Sequence, residues 1–224
     1  MAAPAHGTVT YFYPVRSRGE PVHMMVAYGK VDMAIELISF DEWFARKGEK
    51  YPFLPYITQP DGSIMLETTV ILKHIAVLGG KFVVDEKQEK LLEIANGPPI
   101  QLGDPTANLP DGGGRTKAGQ PEYDEWFKGC VEVLKGYVTE LGAGPFFAGA
   151  TPGYAEPMMW HNLDNLFSID KAAFTEAIGA ESMARLQAWY DTFAALEGIK
   201  EYLEKRPIFP GGKFGLPGSR LNPA

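Results

Sequence analysis

Cysteine is almost missing from this 224-residue chain, which carries one, Cys130. A lone thiol excludes an internal disulfide and any cysteine-based metal cluster. No Asn-x-Ser/Thr sequon occurs either, and both absences fit a reducing, cytoplasmic setting. Basic charge is in short supply: 21 Lys and Arg stand against 28 Asp and Glu, a formal charge of −7. A polyanion-binding protein normally shows the opposite balance, so nucleic acid is not an expected partner. Long apolar runs are lacking as well. The longest weakly charged stretch, near residues 141–155, is broken by Gly and Pro and cannot form a membrane helix of about 20 apolar residues. The first ten residues, MAAPAHGTVT, have neither the basic start nor the apolar segment of a signal peptide. The chain reads as soluble, with no membrane partner.

Hydrophobic residues make up 45% and charged residues 22%, enough apolar material to bury a sizeable core without staples. At roughly 150 residues per domain, the length suits one large domain or two small ones in contact. The pattern favours two. Residues 8–13 (TVTYFY) are β-branched and aromatic, as a strand requires. GEPVHMMVAYG (19–29) has Val22, Met25 and Val26 at helical spacing, Pro21 near the helix start and Gly29 after its end. AIELISF (34–40) is a second strand, and DEWFARKGEK opens a short helix on Asp41 and Glu42. Tyr56–Thr58, the turn PDGS and Ile64–Leu66 form a hairpin. A helix follows over Thr68–Leu78, with a stripe at Val70, Ile71, His74, Ile75 and Leu78. The order βαβαββα is an α/β sandwich whose second strand should lie parallel to the first through a right-handed crossover. After Gly79-Gly80 only helical patterns remain, at about 85–96, 121–141, 154–167 and 180–204. The expected division is an α/β domain over 1–80 and an all-helical domain over 85–224. A Gly/Pro-rich stretch at 97–121 exceeds the usual loop length.

Several motifs reduce to bland readings. GGGRTK (112–117) misses the phosphate-loop spacing and follows no strand. His6, His23, His74 and His161 are scattered without ligand spacing, so no metal is expected. Ser17 lacks a G-x-S-x-G context. Cys130 has no C-x-x-C partner and reads as a small core residue.

Three segments of the first half do cluster. TYFYPVRSRGEP (10–21) runs a tyrosine-rich strand into a helix start beside two arginines. DEWFARK (41–47) sets an aromatic and a lysine four residues apart, which one helical face would carry. FLPYITQPDGSIMLETTVILKHIA (53–76) joins a Leu-Pro strand start to an acidic residue and a threonine opening a helix. Taken singly, Trp43 reads as packing and Lys47 as a solvated charge.

Together, in this order, the segments resemble the cytosolic glutathione transferases, particularly the tyrosine-type sigma, mu and pi classes. LQAWYDTFAALEGIKEYLEKRP (186–207) is similar to that family's last helices. The resemblance implies a thioredoxin-like glutathione-binding domain before a helical bundle. It implies a transferase joining reduced glutathione to apolar electrophiles, as in detoxification. Glutathione is then a co-substrate, no metal is needed, and the chain pairs as a homodimer.

The chemistry agrees with that implication, because only the thiolate of glutathione is nucleophilic and a hydroxyl donating to sulfur favours it. Aligned from Thr-Val-Thr, Tyr11 matches the family's catalytic tyrosine, and Arg18 matches the second arginine of its pattern. The segment is one residue longer than that pattern. Anchoring on Pro14-Val15-Arg16 instead places Phe12 there, with Tyr13 as the nearest hydroxyl. Leu54-Pro55 matches the family's cis-proline, whose neighbours pair with the cysteinyl backbone of glutathione. Glu67 and Thr68 match the pair that holds the γ-glutamyl end, and Trp43 and Lys47 match residues that meet the glycyl carboxylate. Asp104 is the candidate for a residue reaching the partner subunit's γ-glutamyl site. A glutathione-dependent isomerase of the prostaglandin-synthase kind and a catalytically silent ligand-binding or structural relative remain alternatives. The sequence GYAEP (153–157) keeps Glu156 of the family's capping box but has Gly153 where a hydroxyl is usual.

Overall fold

The computed structural model describes residues 4–12, 18–96 and 121–206. Tyr13, the stretch at 97–120 with Asp104, and everything past Arg206 lie outside the described residues. The first half runs β1 (Thr8–Phe12), α1 (Gly19–Gly29), β2 (Ala34–Ile38), α2 (Phe40–Arg46), β3 (Tyr56–Thr58), β4 (Ile64–Met65) and α3 (Thr68–Gly79). The four strands form one sheet in the order β2-β1-β3-β4. β1 and β2 are parallel, with Val9 opposite Ile35 and Tyr11 opposite Leu37. β3 is antiparallel to β1, and β4 to β3. The expected βαβαββα sandwich and the parallel pairing of the first two strands are both present.

Side-chain period divides the work of the strands. Val9 and Tyr11 point into the main core with Val22, Met25, Ile71 and Ile75 from α1 and α3. Thr10 faces the other way and donates to Glu36 at 2.8 Å, and Glu36 also accepts from Arg46 at 2.8 Å. This chain of bonds ties β1, β2 and α2 together.

Some boundaries differ from expectation. The second strand stops at Ile38 because Ser39 caps α2, accepting the Glu42 N–H while the Glu42 carboxylate takes the Ser39 N–H. Phe40 therefore belongs to the helix. The core face of α3 is Thr68, Ile71, Leu72, Ile75 and Ala76, whereas Val70 is half exposed. Runs of apolar residues on both sides of that helix made its inward face ambiguous in sequence.

The second half contains α4 (Glu86–Ala95), α5 (Pro121–Glu140), α6 (Glu156–Ile178), α7 (Ala180–Ala194) and α8 (Ile199–Lys205). The helix expected to end near 167 continues to Ile178 past a non-helical residue at Asp170, whose carboxylate accepts the Ala173 N–H at 3.0 Å. The segment expected as one helix over 180–204 is two, broken at Gly198 with φ +84. A Cβ there would sit 2.7 Å from the Ala27 carbonyl oxygen of α1, so glycine lets the chain pass close to that helix. Cys130 is fully buried, as a core thiol should be, and burial raises its pKa to about 12.

The start of α6 is capped from a different helix. Glu156 accepts the Gly153 N–H at 2.8 Å and the Trp189 indole N–H at 2.6 Å. Burial pushes its carboxyl up to about 7 despite those bonds. The hydroxyl usual at the cap is replaced by Gln88 of α4, whose carboxamide oxygen accepts the Ala155 N–H at 3.3 Å. Gln88 fills the space that a side chain at 153 would need, since a Cβ there would lie 1.9 Å from the carboxamide. Gly153→Ser should therefore destabilise the protein, although serine is the better cap in isolation. Gln88→Ala should cost about 1–2 kcal/mol. Urea denaturation of the double variant should show less than the summed loss, because the serine then has room to cap.

Candidate functional site

Strand directions bring four element ends to one edge of the sheet. β1 ends there at Tyr11 and Phe12, and β3, being antiparallel, begins there after Pro55. β4 runs back to the same edge, so Leu66, Glu67 and the start of α3 follow on it. α1 begins there too, with Arg18 at its cap.

The Tyr11 ring is buried beneath the first residue of α1. A Cβ at Gly19 would fall 2.2 Å from the ring, so only glycine permits this contact. The Tyr11 hydroxyl lies 2.7 Å from His23 Nδ1, one turn into α1. His23 was set aside in sequence as a lone histidine. Its signal was weak because it lies twelve positions along the chain from the tyrosine it meets. Burial pulls its imidazole down to about 4, against the opposing pull of the Glu20 carboxylate, so it is neutral at physiological pH. The ring also rests against Tyr202 of α8, with centroids 4.4 Å apart.

Arg18 is partly buried, which lowers its pKa, while Glu67 acts in the opposite direction. The starts of α1 and α3 are thus within electrostatic reach of each other. Glu67 holds φ +69 and ψ +112, a backbone state costing of order 1–3 kcal/mol for a residue with a side chain. Its side chain is exposed, and Thr68 behind it is buried at the first turn of α3. The opening N–H groups of that turn have no acceptor within the helix. The Leu54-Pro55 bond is cis.

Trp43 and Lys47 are placed differently from each other. Lys47 is the C-cap of α2, where its N–H donates to the Trp43 carbonyl at 2.7 Å, and its side chain is exposed. Trp43 is buried under the sheet with Ile38 and Tyr56, and Leu54 packs against that cluster. The four-residue spacing spans the last turn of α2 and its cap.

No group of three or more His, Cys, Asp or Glu side chains that could hold a metal occurs among the described residues. No helix among them is long and apolar enough to cross a membrane.

Residues 114–206 match the family model for the glutathione S-transferase C-terminal domain. Among solved structures the chain is similar to a Nu-class enzyme of this kind from Haemonchus contortus, at 16% identity and TM-score 0.70, covering 91% of this chain and 98% of that one. A Pi-class glutathione S-transferase from Onchocerca volvulus is 18% identical with TM-score 0.68, over 89% of this chain and 92% of its own. Prostaglandin synthase D of Nilaparvata lugens is 16% identical with TM-score 0.64, over 91% and 100%. A comparison with curated proteins gives no match. The chain has the fold of the cytosolic glutathione transferases, and within its helical half residues 114–206 match the model of their C-terminal domain.

A neutral buried His23 makes stability pH-dependent in a defined direction. Its folded pKa lies below the unfolded value of 6.5, so its contribution is complete above 6.5 and lost as pH falls through about 4. Urea unfolding at pH 7 and pH 4 should show that His23→Asn escapes part of the wild-type loss, at most about 3 kcal/mol. Equal losses in both proteins would show that the imidazole is solvated.

Proposed function

We propose that this protein is a glutathione transferase that activates the thiol of glutathione through Tyr11 and joins it to apolar electrophiles. The observation that carries the reading is the convergence of Tyr11, Arg18, cis-Pro55, Glu67 and Thr68 on one sheet edge.

Each group has a task there. The backbone beside Leu54-Pro55 pairs with the cysteinyl unit as an added strand. The Thr68 hydroxyl and the opening amides of α3 receive the γ-glutamyl carboxylate, and the helix dipole favours that charge. Glu67, exposed in its left-handed backbone state, meets the α-amine. Lys47 is free to swing to the glycyl carboxylate. Trp43 supports that wall from beneath by packing on Tyr56. The Tyr11 hydroxyl donates to the sulfur and Arg18 adds positive potential, so the thiolate forms nearer neutral pH. No step calls for a metal. Residues 1–80 hold glutathione and the helical half from residue 85 supplies the electrophile's wall. The single buried cysteine suits work in a reducing cytoplasm.

The same family resemblance favours a homodimer. Val70 and Val77 are exposed on one side of α3, seven residues apart, and offer an apolar strip for a second copy.

Three measurements test the reading. Titration calorimetry after chelator treatment should show glutathione binding, and its absence would overturn the site. Tyr11→Phe should cut turnover of an aryl halide roughly tenfold to a hundredfold, since a hydrogen bond to a charged acceptor is lost. Its pH–rate profile should move to higher pH, with affinity for glutathione little changed. Tyr13→Phe should leave both nearly unaltered, and the reverse pattern would assign the hydroxyl to Tyr13. Sedimentation should give about twice the 24.6 kDa of one chain.

A further inference from the structure

We propose that His23 is a positioning residue for the thiol chemistry: its Nδ1–H donates to the Tyr11 oxygen and leaves the phenol's own hydrogen for the glutathione sulfur. This inference rests on the Tyr11 reading above and adds a residue that reading does not contain.

The geometry leaves two arrangements. Tyr11 Oη and His23 Nδ1 lie 2.7 Å apart, so one hydrogen sits between them. A neutral imidazole has a single N–H and a phenol a single O–H. If Nδ1 accepts, the phenol's only hydrogen is spent on histidine and none remains for sulfur. If Nδ1 donates, the oxygen is an acceptor toward histidine and still a donor outward. Only the second arrangement is compatible with a tyrosine-stabilised thiolate. In it the accepted hydrogen bond also polarises the phenol and strengthens its donation.

The surroundings hold the ring for this task. Tyr202 of α8 lies against the imidazole, and its hydroxyl donates to Glu20 at 3.3 Å. Glu20 is itself fixed by His161 at 2.5 Å and Arg206 at 3.0 Å. Among the described residues, the groups facing His23 are Tyr11 from β1, Tyr202 from α8 and Glu20 from its own helix. Burial outweighs the Glu20 charge and keeps the imidazole neutral over the range where the thiol titrates. His23 then acts through hydrogen-bond direction and not by changing charge.

The experiment compares wild type, His23→Phe, His23→Asn and Tyr11→Phe as full-length proteins. The ultraviolet absorbance of bound glutathione thiolate is titrated against pH, with kcat/KM for an aryl halide measured alongside. His23→Phe should raise the bound-thiol pKa by about 0.5–1 unit and lower kcat/KM at neutral pH about three- to tenfold, with KM for glutathione unchanged. His23→Asn should stay close to wild type, because its amide nitrogen falls near the Nδ1 position and can donate. An unchanged pKa in His23→Phe, or a lowered one, would overturn the proposal. Nitrogen-15 NMR of the wild-type imidazole reads the tautomer directly, whatever the variants' folding. A hydrogen on Nδ1 supports the proposal and a hydrogen on Nε2 overturns it. Should Tyr11→Phe leave the thiol pKa unmoved while glutathione binds, the tyrosine reading itself fails, a result distinct from either His23 outcome.

Discussion

A buried carboxylate holds the two halves of this protein in register. Glu20 sits in the first turn of α1, fully inaccessible, and is met by His161 of α6, Tyr202 of α8 and Arg206 just past α8. Arg206 continues to Asp164 at 3.1 Å, which also accepts the Tyr190 hydroxyl at 2.6 Å. An isolated ionised carboxylate at such depth would be prohibitively costly, and its partners make it tolerable. Removing one partner from such an arrangement typically costs about 3–5 kcal/mol, since the remaining charge stays buried. The direction of those bonds matters more than their sum. They run from the sheet-covering helix of the α/β half into the helical half, so the helices dock in one orientation.

That docking reaches the candidate site through a short path. α1 packs between α3 on one side and α6 and α8 on the other. Arg18 caps it, its first turn carries Gly19 and Glu20, and its next carries His23. The residue that clamps Glu20 from α8, Tyr202, is the one lying against His23. The environment of the Tyr11 hydroxyl is therefore set by the end of the chain as well as by its beginning. The Tyr202 bond to Glu20 ties together residues 182 positions apart.

Local rules and long-range packing also trade places at α6. A serine or threonine cap is a short-range solution to unpaired amides at a helix start. Here glycine stands at that position and Gln88 delivers the acceptor from α4. The missing hydroxyl is not a weakened box. It is the clearance another side chain needs.

The order of elements was legible in the sequence because its signals are local. TVTYF, the glycines closing α1 and α3, the PDGS turn and the acidic pair Asp41 and Glu42 opening α2 each act within a few residues. The Leu54-Pro55, Glu67 and Thr68 set was picked out by resemblance, as a run joined by one hairpin, and the structure puts its members at one end of the sheet. Helix ends fared worse. Whether 180–204 was one helix or two depended on Gly198 passing the Ala27 carbonyl, a contact between distant segments. The inward face of α3 and the burial of Trp43 beside an exposed Lys47 depended likewise on what lay opposite. His23 is the clearest case. Nothing within α1 distinguishes it from a solvated histidine, and only the folding of β1 under that helix brings the tyrosine to 2.7 Å. Sequence determined which elements form and where apolar residues recur. Tertiary structure alone decided which buried polar groups meet, because a hydrogen bond needs atoms within about 3 Å and neighbours in the chain cannot show that.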